Sequence, residues 1–223
     1  MTTKLQKIVP AVLEKNLEML YLNFNKLLQI TNHIHIDYVD DTFNNAFNYT
    51  IVDIDTNKIN EKECTYELHY LSNKFDELLK FLHNCERKPS KVIIHLSEIS
   101  KLEYSHQEKL IDDIKKISKL SIAINPDECF NNIFHYLKNH KNTDDILIMT
   151  VTPGKQNTEF LNNQYLNYFL NNGMNVNVDG GININTIDKI DKRVKQYIVG
   201  SYIIKSKNIQ QKLNELQNKI DNF

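Results

Sequence analysis

The feature that most constrains this chain is a recurrence. A short apolar stretch recurs eight times, and a longer amphipathic one follows most of its occurrences, with no low-complexity linker in between. The apolar stretches are 7–13, 33–38, 65–71, 91–96, 120–124, 146–151, 175–179 and 196–199. His33-Ile34-His35-Ile36-Asp37-Tyr38 alternates with the period of a strand, whereas Lys91-Val92-Ile93-Ile94-His95-Leu96 is nearly continuous, as in a strand covered on both faces. Pro10 is tolerable near a strand end. Helices are expected over 14–29, 73–83, 106–117, 127–138, 160–170, 184–192 and 209–220. Leu17, Leu20, Phe24, Leu27 and Leu28 form one face of the first, Asp127 suits a cap, and Gly173 suits the position just past a helix end. Residues 40–62 are polar and poorly periodic, so a long loop is expected there, with a short element at 49–52. Strand–helix alternation over an undivided chain gives an α/β fold. Eight units point to a closed (β/α)8 TIM barrel filling residues 1–223 as one domain, with a doubly wound open sheet as the alternative.

Composition narrows the function classes. The 223 residues carry 27 Lys and Arg against 28 Asp and Glu, which argues against a nucleic-acid binder that works by charge. No apolar run is long enough to span a bilayer and the N-terminus lacks a signal core, so no membrane association is expected. Cys64, Cys85 and Cys129 are odd in number and widely spaced, as expected of reduced thiols in a cytoplasmic protein.

A barrel places its chemistry at the C-terminal ends of its strands and often binds phosphate after strands 7 and 8. Asp37, His69 and Asp179 all lie at or near such ends. In the second strand, His33, His35 and Asp37 share one face, which is costly in a dry core and suits a metal or acid–base site. Asn175-Val176-Asn177-Val178-Asp179-Gly180-Gly181 ends a strand in an acid and two glycines. The glycines let backbone N–H groups approach a ligand, and the carboxylate could hold a metal or move a proton. Of the five glycines in the chain, Gly154, Gly180, Gly181 and Gly200, the last followed by Ser201, fall where a phosphate cradle would lie. Ordinary tight turns are the other reading.

These stretches resemble the ribulose-phosphate 3-epimerase family, in order and along nearly the whole chain. The matching segments are Val9-Pro10-Ala11-Val12-Leu13, His35-Ile36-Asp37 with Asp40 and Phe43, Leu68-His69, Ile94-His95 and Ala123-Ile124-Asn125-Pro126. They continue with Met149-Thr150-Val151-Thr152-Pro153-Gly154 and Phe160, then Val178-Asp179-Gly180-Gly181-Ile182 and Val199-Gly200-Ser201. The resemblance implies a ribulose-phosphate-binding barrel with one divalent transition metal, zinc, iron or manganese, held by His35, Asp37, His69 and Asp179. It makes Asp37 and Asp179 the acid–base pair for epimerisation at C3 of a ketose phosphate. It also gives His69, Gly154, Lys155, Gly180, Gly181, Gly200 and Ser201 as substrate and phosphate contacts. A cytoplasmic homo-oligomer is expected.

The departures fall mainly around the substrate. A substrate-contacting Ser of the family is Ala11, its Met-rich lining is thinned to Val39 and Leu71 with Met149 retained, and a Gly-His pair is Asp41-Thr42. His-x-Glu after the fourth strand is His95-Leu96-Ser97, and the glycine-rich phosphate loop is reduced to Gly154-Lys155-Gln156-Asn157-Thr158. Pentulose phosphate is the expected substrate. A hexulose 6-phosphate such as D-allulose 6-phosphate, and a non-catalytic ligand-binding barrel, are the alternatives.

Overall fold

The structure is a computed structural model that describes residues 7–43, 49–59, 64–139, 143–153 and 159–222. Its eight strands are β1 (Ile8–Val12), β2 (His33–Val39), β3 (Thr65–Leu71), β4 (Lys91–His95), β5 (Lys119–Ile124), β6 (Asp145–Met149), β7 (Val176–Asp179) and β8 (Gln196–Val199). They pair in parallel, each with its sequence neighbours, and β8 pairs with β1 to close the barrel. The closed (β/α)8 barrel is therefore the fold, and the open sheet is excluded.

Two faces of each strand make two different interiors. In β2, Ile34, Ile36 and Tyr38 join the large apolar layer between strands and helices, while His35 and Asp37 face into the barrel. Inside the barrel, the apolar filling is a small cluster that includes Val9, Ala11, Ile93, Leu147, Met149 and Ile198. Around it lie paired polar groups. Lys91 sits 3.1 Å from Glu67 and 2.9 Å from Asp145, all three buried. Buried charges persist only when paired in this way, because removing one partner strands the others away from water.

The helices are α1 (Leu17–Leu28), α2 (Phe75–Asn84), α3 (Leu96–Ile99), α4 (Tyr104–Lys115), α5 (Phe130–Asn139), α6 (Leu166–Asn171), α7 (Ser201–Ile204) and α8 (Ile209–Asp221). Asn16 caps α1 by accepting from the Met19 N–H at 2.9 Å, and Asn208 caps α8 from the Gln211 N–H at 3.0 Å. Each cap stabilises by about 1 kcal/mol. Among the described residues no helix is long and apolar enough to cross a membrane.

Several sequence expectations need correction. The helix expected over 160–170 is only α6. The Asn163 amide donates to the Ile124 and Met149 carbonyls at 3.2 and 2.9 Å, which ties the preceding segment to two strands instead. The helix expected over 184–192 is a single 3-10 turn at Ile187–Lys189, because Asn183, Thr186 and Asp191 side chains capture nearby backbone N–H groups. α5 begins at Phe130, so Asp127 is not its cap. Between β2 and β3, where a long loop with a short element at 49–52 is expected, the described residues form two 3-10 turns, Ile51–Asp53, which overlaps that element, and Thr56–Lys58. The short helices α3 and α7, which follow β4 and β8 directly, carry no periodic signal in the sequence.

Candidate active site

Strand register brings the acids and imidazoles together. Across β2 and β3, His35 stands opposite Glu67 and Asp37 opposite His69, while Asp179 ends β7. His35, Asp37, His69 and Asp179 each offer one ligand atom, and these atoms all lie within 4.8 Å of one another. Asp37 Oδ1 is 3.1 Å from His35 Nε2 and 2.8 Å from His69 Nδ1, and Asp179 Oδ2 is 3.7 Å from the same Nδ1. Both histidines are fully buried, and both carboxyl groups are 13% exposed, reaching the cavity.

The far nitrogens are occupied. His35 Nδ1 is 2.7 Å from Glu67 Oε1, and His69 Nε2 is 2.9 Å from His95 Nε2. Such outer partners fix which nitrogen of a ligating imidazole faces inward. Two nitrogens and two carboxylates, aimed at one point and braced from behind, fit a divalent transition metal better than calcium or magnesium.

Electrostatics within the cluster separates the two carboxyl groups. Burial opposes ionisation of Asp37, but the neighbouring His35 and His69 outweigh it and hold its pKa well below the usual range. Burial, reinforced by the Asp37 charge, lifts Asp179 to about 7. Burial favours neutral His35, but Asp37 and Glu67 overcome it and raise its pKa to about 10. Burial lowers His69, and it lowers His95, next to His69, to about 3. A cluster that draws a proton onto a buried imidazole has negative charge to spare, which a cation would neutralise.

A cavity of about 490 Å³ opens against these groups. Ala11, Val39, Leu71, Met149 and Ile198 give it apolar walls, and Gly180, Gly181, Gly200 and Ser201 line it as well. Gly180 and Gly181 hold φ of +113° and +63°, which a side chain resists. A Cβ on Gly180 would also stand 2.4 Å from the Val151 side chain, and one on Gly181 3.3 Å from Phe160 Cα. The backbone N–H groups of Gly181, Gly200 and Ser201 have no hydrogen-bond partner among the described residues. The charged lining groups are Asp37, Asp179 and Glu159; among the described residues no Lys or Arg lines the cavity.

Gly154 and Lys155 lie outside the described residues. The other expected site residues border one cavity or belong to the His35, Asp37, His69 and Asp179 cluster beside it. His33 is set apart, half-buried, with Nδ1 2.7 Å from Thr65 Oγ1 and Nε2 3.5 Å from Glu67 Oε2. The sequence reading missed Glu67, Asn125 as a partner of His95, and Glu159 at the cavity wall. Glu67 was within reach, because it alternates with His69 on β3 and so must face inward with it.

The sequence matches the ribulose-phosphate 3 epimerase family over residues 7–204, and the chain belongs to that family. No curated protein matches it. Among solved structures, 3-hexulose-6-phosphate synthase from Salmonella typhimurium is similar with a TM-score of 0.69 at 13% identity, covering 97% of this chain and 99% of that one. KGPDC from Streptococcus mutans is similar with a TM-score of 0.64 at 14% identity, covering 98% and 99%. Orotidine 5'-phosphate decarboxylase from Pyrococcus horikoshii gives 0.63 at 13% identity, covering 96% and 99%. At these identities the likeness is one of fold. Family membership places the chain among barrels that act on sugar phosphates, and it leaves the particular reaction open.

Proposed function

We propose that the chain is a metal-dependent epimerase that interconverts D-ribulose 5-phosphate and D-xylulose 5-phosphate. The observation that carries this reading is the pair Asp37 and Asp179, whose carboxyl groups border one cavity from two different strands of the barrel. Inverting a carbon beside a carbonyl requires a base on one face and an acid on the other. Two carboxyl groups from separate strands facing one cavity are suited to those roles.

In this reading Asp37, ionised, removes the C3 proton from one face of the ketose phosphate. Asp179, protonated, returns a proton to the other, and the roles exchange in the reverse direction. His35, Asp37, His69 and Asp179 would hold one divalent transition metal, which when bound stabilises negative charge developing on the substrate oxygens. Ala11, Val39, Leu71 and Met149 give the sugar an apolar wall to pack against. The phosphate is received by the N–H groups of Gly181, Gly200 and Ser201, which lack other partners among the described residues.

A second reading keeps the reaction and enlarges the sugar to a hexulose 6-phosphate such as D-allulose 6-phosphate. Ala11 favours it, because a methyl replaces a group that would bond the sugar and leaves more room at the wall. Turnover of the pentulose and hexulose phosphates, measured side by side on the metal-loaded protein, separates the two. The first reading expects the larger kcat/KM on the pentulose; a preference for the hexulose selects the second. Inactivity on both, with metal bound, removes both and leaves a ligand-binding barrel.

A further inference from the structure

Behind His69 runs a chain of three polar side chains, His95, Asn125 and Ser97, from the fourth and fifth strand–helix units of the barrel. His69 Nε2 lies 2.9 Å from His95 Nε2, His95 Nδ1 lies 3.0 Å from Asn125 Oδ1, and Asn125 Nδ2 lies 3.3 Å from Ser97 Oγ. The two imidazole rings are almost parallel, 18° apart, with centroids separated by 4.9 Å. His69, His95 and Asn125 are all buried, so no bulk water can substitute for a missing partner.

A hydrogen bond between two imidazole nitrogens takes one proton, and each neutral imidazole carries one in all. Only two arrangements satisfy the whole chain. In the first, His69 donates from Nε2 to His95, and His95 donates from Nδ1 to the Asn125 carbonyl. His69 Nδ1 is then bare and turned toward Asp37 and Asp179. In the second, both protons sit one place nearer the site: His69 donates from Nδ1 to Asp37, His95 donates to His69, and the Asn125 amide turns over to donate to His95. Only the first leaves a lone pair for a metal. The contacts of this structure hold one end of each arrangement: the Asn125 oxygen faces His95, as the first requires, while His69 Nδ1 lies 2.8 Å from Asp37 Oδ1, as the second requires; the Asn125 amide donates to Ser97. The Ser97 hydroxyl can donate or accept, so it tolerates either.

We propose that His95, Asn125 and Ser97 are positioning residues that hold His69 in its metal-binding tautomer, and that both protons shift one place toward the site when the metal leaves. The inference rests on the metal-site reading above. It gives His95-Leu96-Ser97 a role of its own, since His95 links His69 to Asn125 and Ser97 closes the outer end of the chain.

The test is the nitrogen NMR spectrum of the histidine rings, recorded on the metal-free and the zinc-loaded full chain. With zinc, His69 should carry its proton on Nε2 and His95 on Nδ1; without zinc, His69 should carry it on Nδ1 and His95 on Nε2. Zinc affinity is then measured for Asn125→Leu and His95→Phe, which keep bulk and remove the acceptor. It should fall about 10–100-fold, the range for loss of a partner behind a ligating histidine. Ser97→Ala should have a smaller effect in the same direction. If zinc binds and the protons of His69 and His95 stay where they were, the chain is a passive contact and the inference is wrong while the metal reading stands. If the unaltered protein binds no zinc, the metal reading fails and takes the inference with it.

Discussion

The two ends of the cavity are built differently. At the acid and imidazole end, His35, Asp37, His69 and Asp179 are side chains on regular strands, set by the β2–β3 register and braced by Glu67 and His95. At the glycine end, the groups on offer are backbone N–H in turns, with Glu159 the charged neighbour among the described lining residues. Gly180 and Gly181 are demanded there by packing against Val151 and Phe160 as well as by any ligand. A site made of strand side chains is fixed once register is fixed, whereas one made of loop backbone depends on every turn beside it. In this chain the acid and imidazole end is therefore set by strand register, and the glycine end by its turns.

The comparison can be broken most easily at the first end. Asp179→Asn should lower kcat by on the order of 10²–10⁴-fold, the usual worth of a positioned acid or base. Because Asp179 is also proposed to hold metal, the variant should be assayed at measured metal occupancy. Normal turnover in it would place the acid elsewhere.

A pH experiment on chelator-treated protein follows. Asp179 keeps its proton to about pH 7 in the fold, whereas an unfolded Asp ionises near about 3.9. Its contribution to stability is thus complete below about pH 4 and lost as pH rises through about 7. His95, held near 3, acts in the opposite sense between about 3 and 6.5, so the raw curve mixes the two. The stability difference between the unaltered protein and Asp179→Asn isolates Asp179. It should fall by on the order of a few kcal/mol between pH 4 and 7. A flat difference would mean Asp179 ionises normally.

Glu67→Gln sharpens the same end. It removes the carboxylate behind His35 and the partner of Lys91. Metal affinity should drop about 10–100-fold. Stability should drop as well, since Lys91 keeps only Asp145. Unchanged affinity in a folded variant would detach Glu67 from the site.

The smallest effect belongs to the phosphate end. Lys155, outside the described residues, is the cation nearest in sequence to the family's phosphate loop. Lys155→Ala should raise KM for the sugar phosphate a few-fold with kcat unchanged, and less so at high salt. An unchanged KM at low salt leaves backbone N–H groups as the whole of the phosphate site.

What could be read from sequence follows the same division. The period-two alternation of β2 exposed His35 and Asp37, and the strand ends exposed His69 and Asp179, because a strand's side-chain direction is local information. Glu67 carried the same signal on β3. The pairing of His95 with Asn125 did not, since it joins the end of β4 to the residue after β5 and exists only once the barrel closes. The helix expected over 160–170 failed for a related reason: Asn163 reaches two strand carbonyls that no local pattern reveals.

The central claim is that Asp37 and Asp179 exchange the C3 proton of a ketose phosphate across its two faces. Solvent-deuterium incorporation at C3 of D-ribulose 5-phosphate by the metal-loaded protein tests it most directly. The account predicts deuterium at C3 together with formation of D-xylulose 5-phosphate, both lost in Asp37→Asn and Asp179→Asn. No incorporation by fully metal-loaded, folded protein would contradict it.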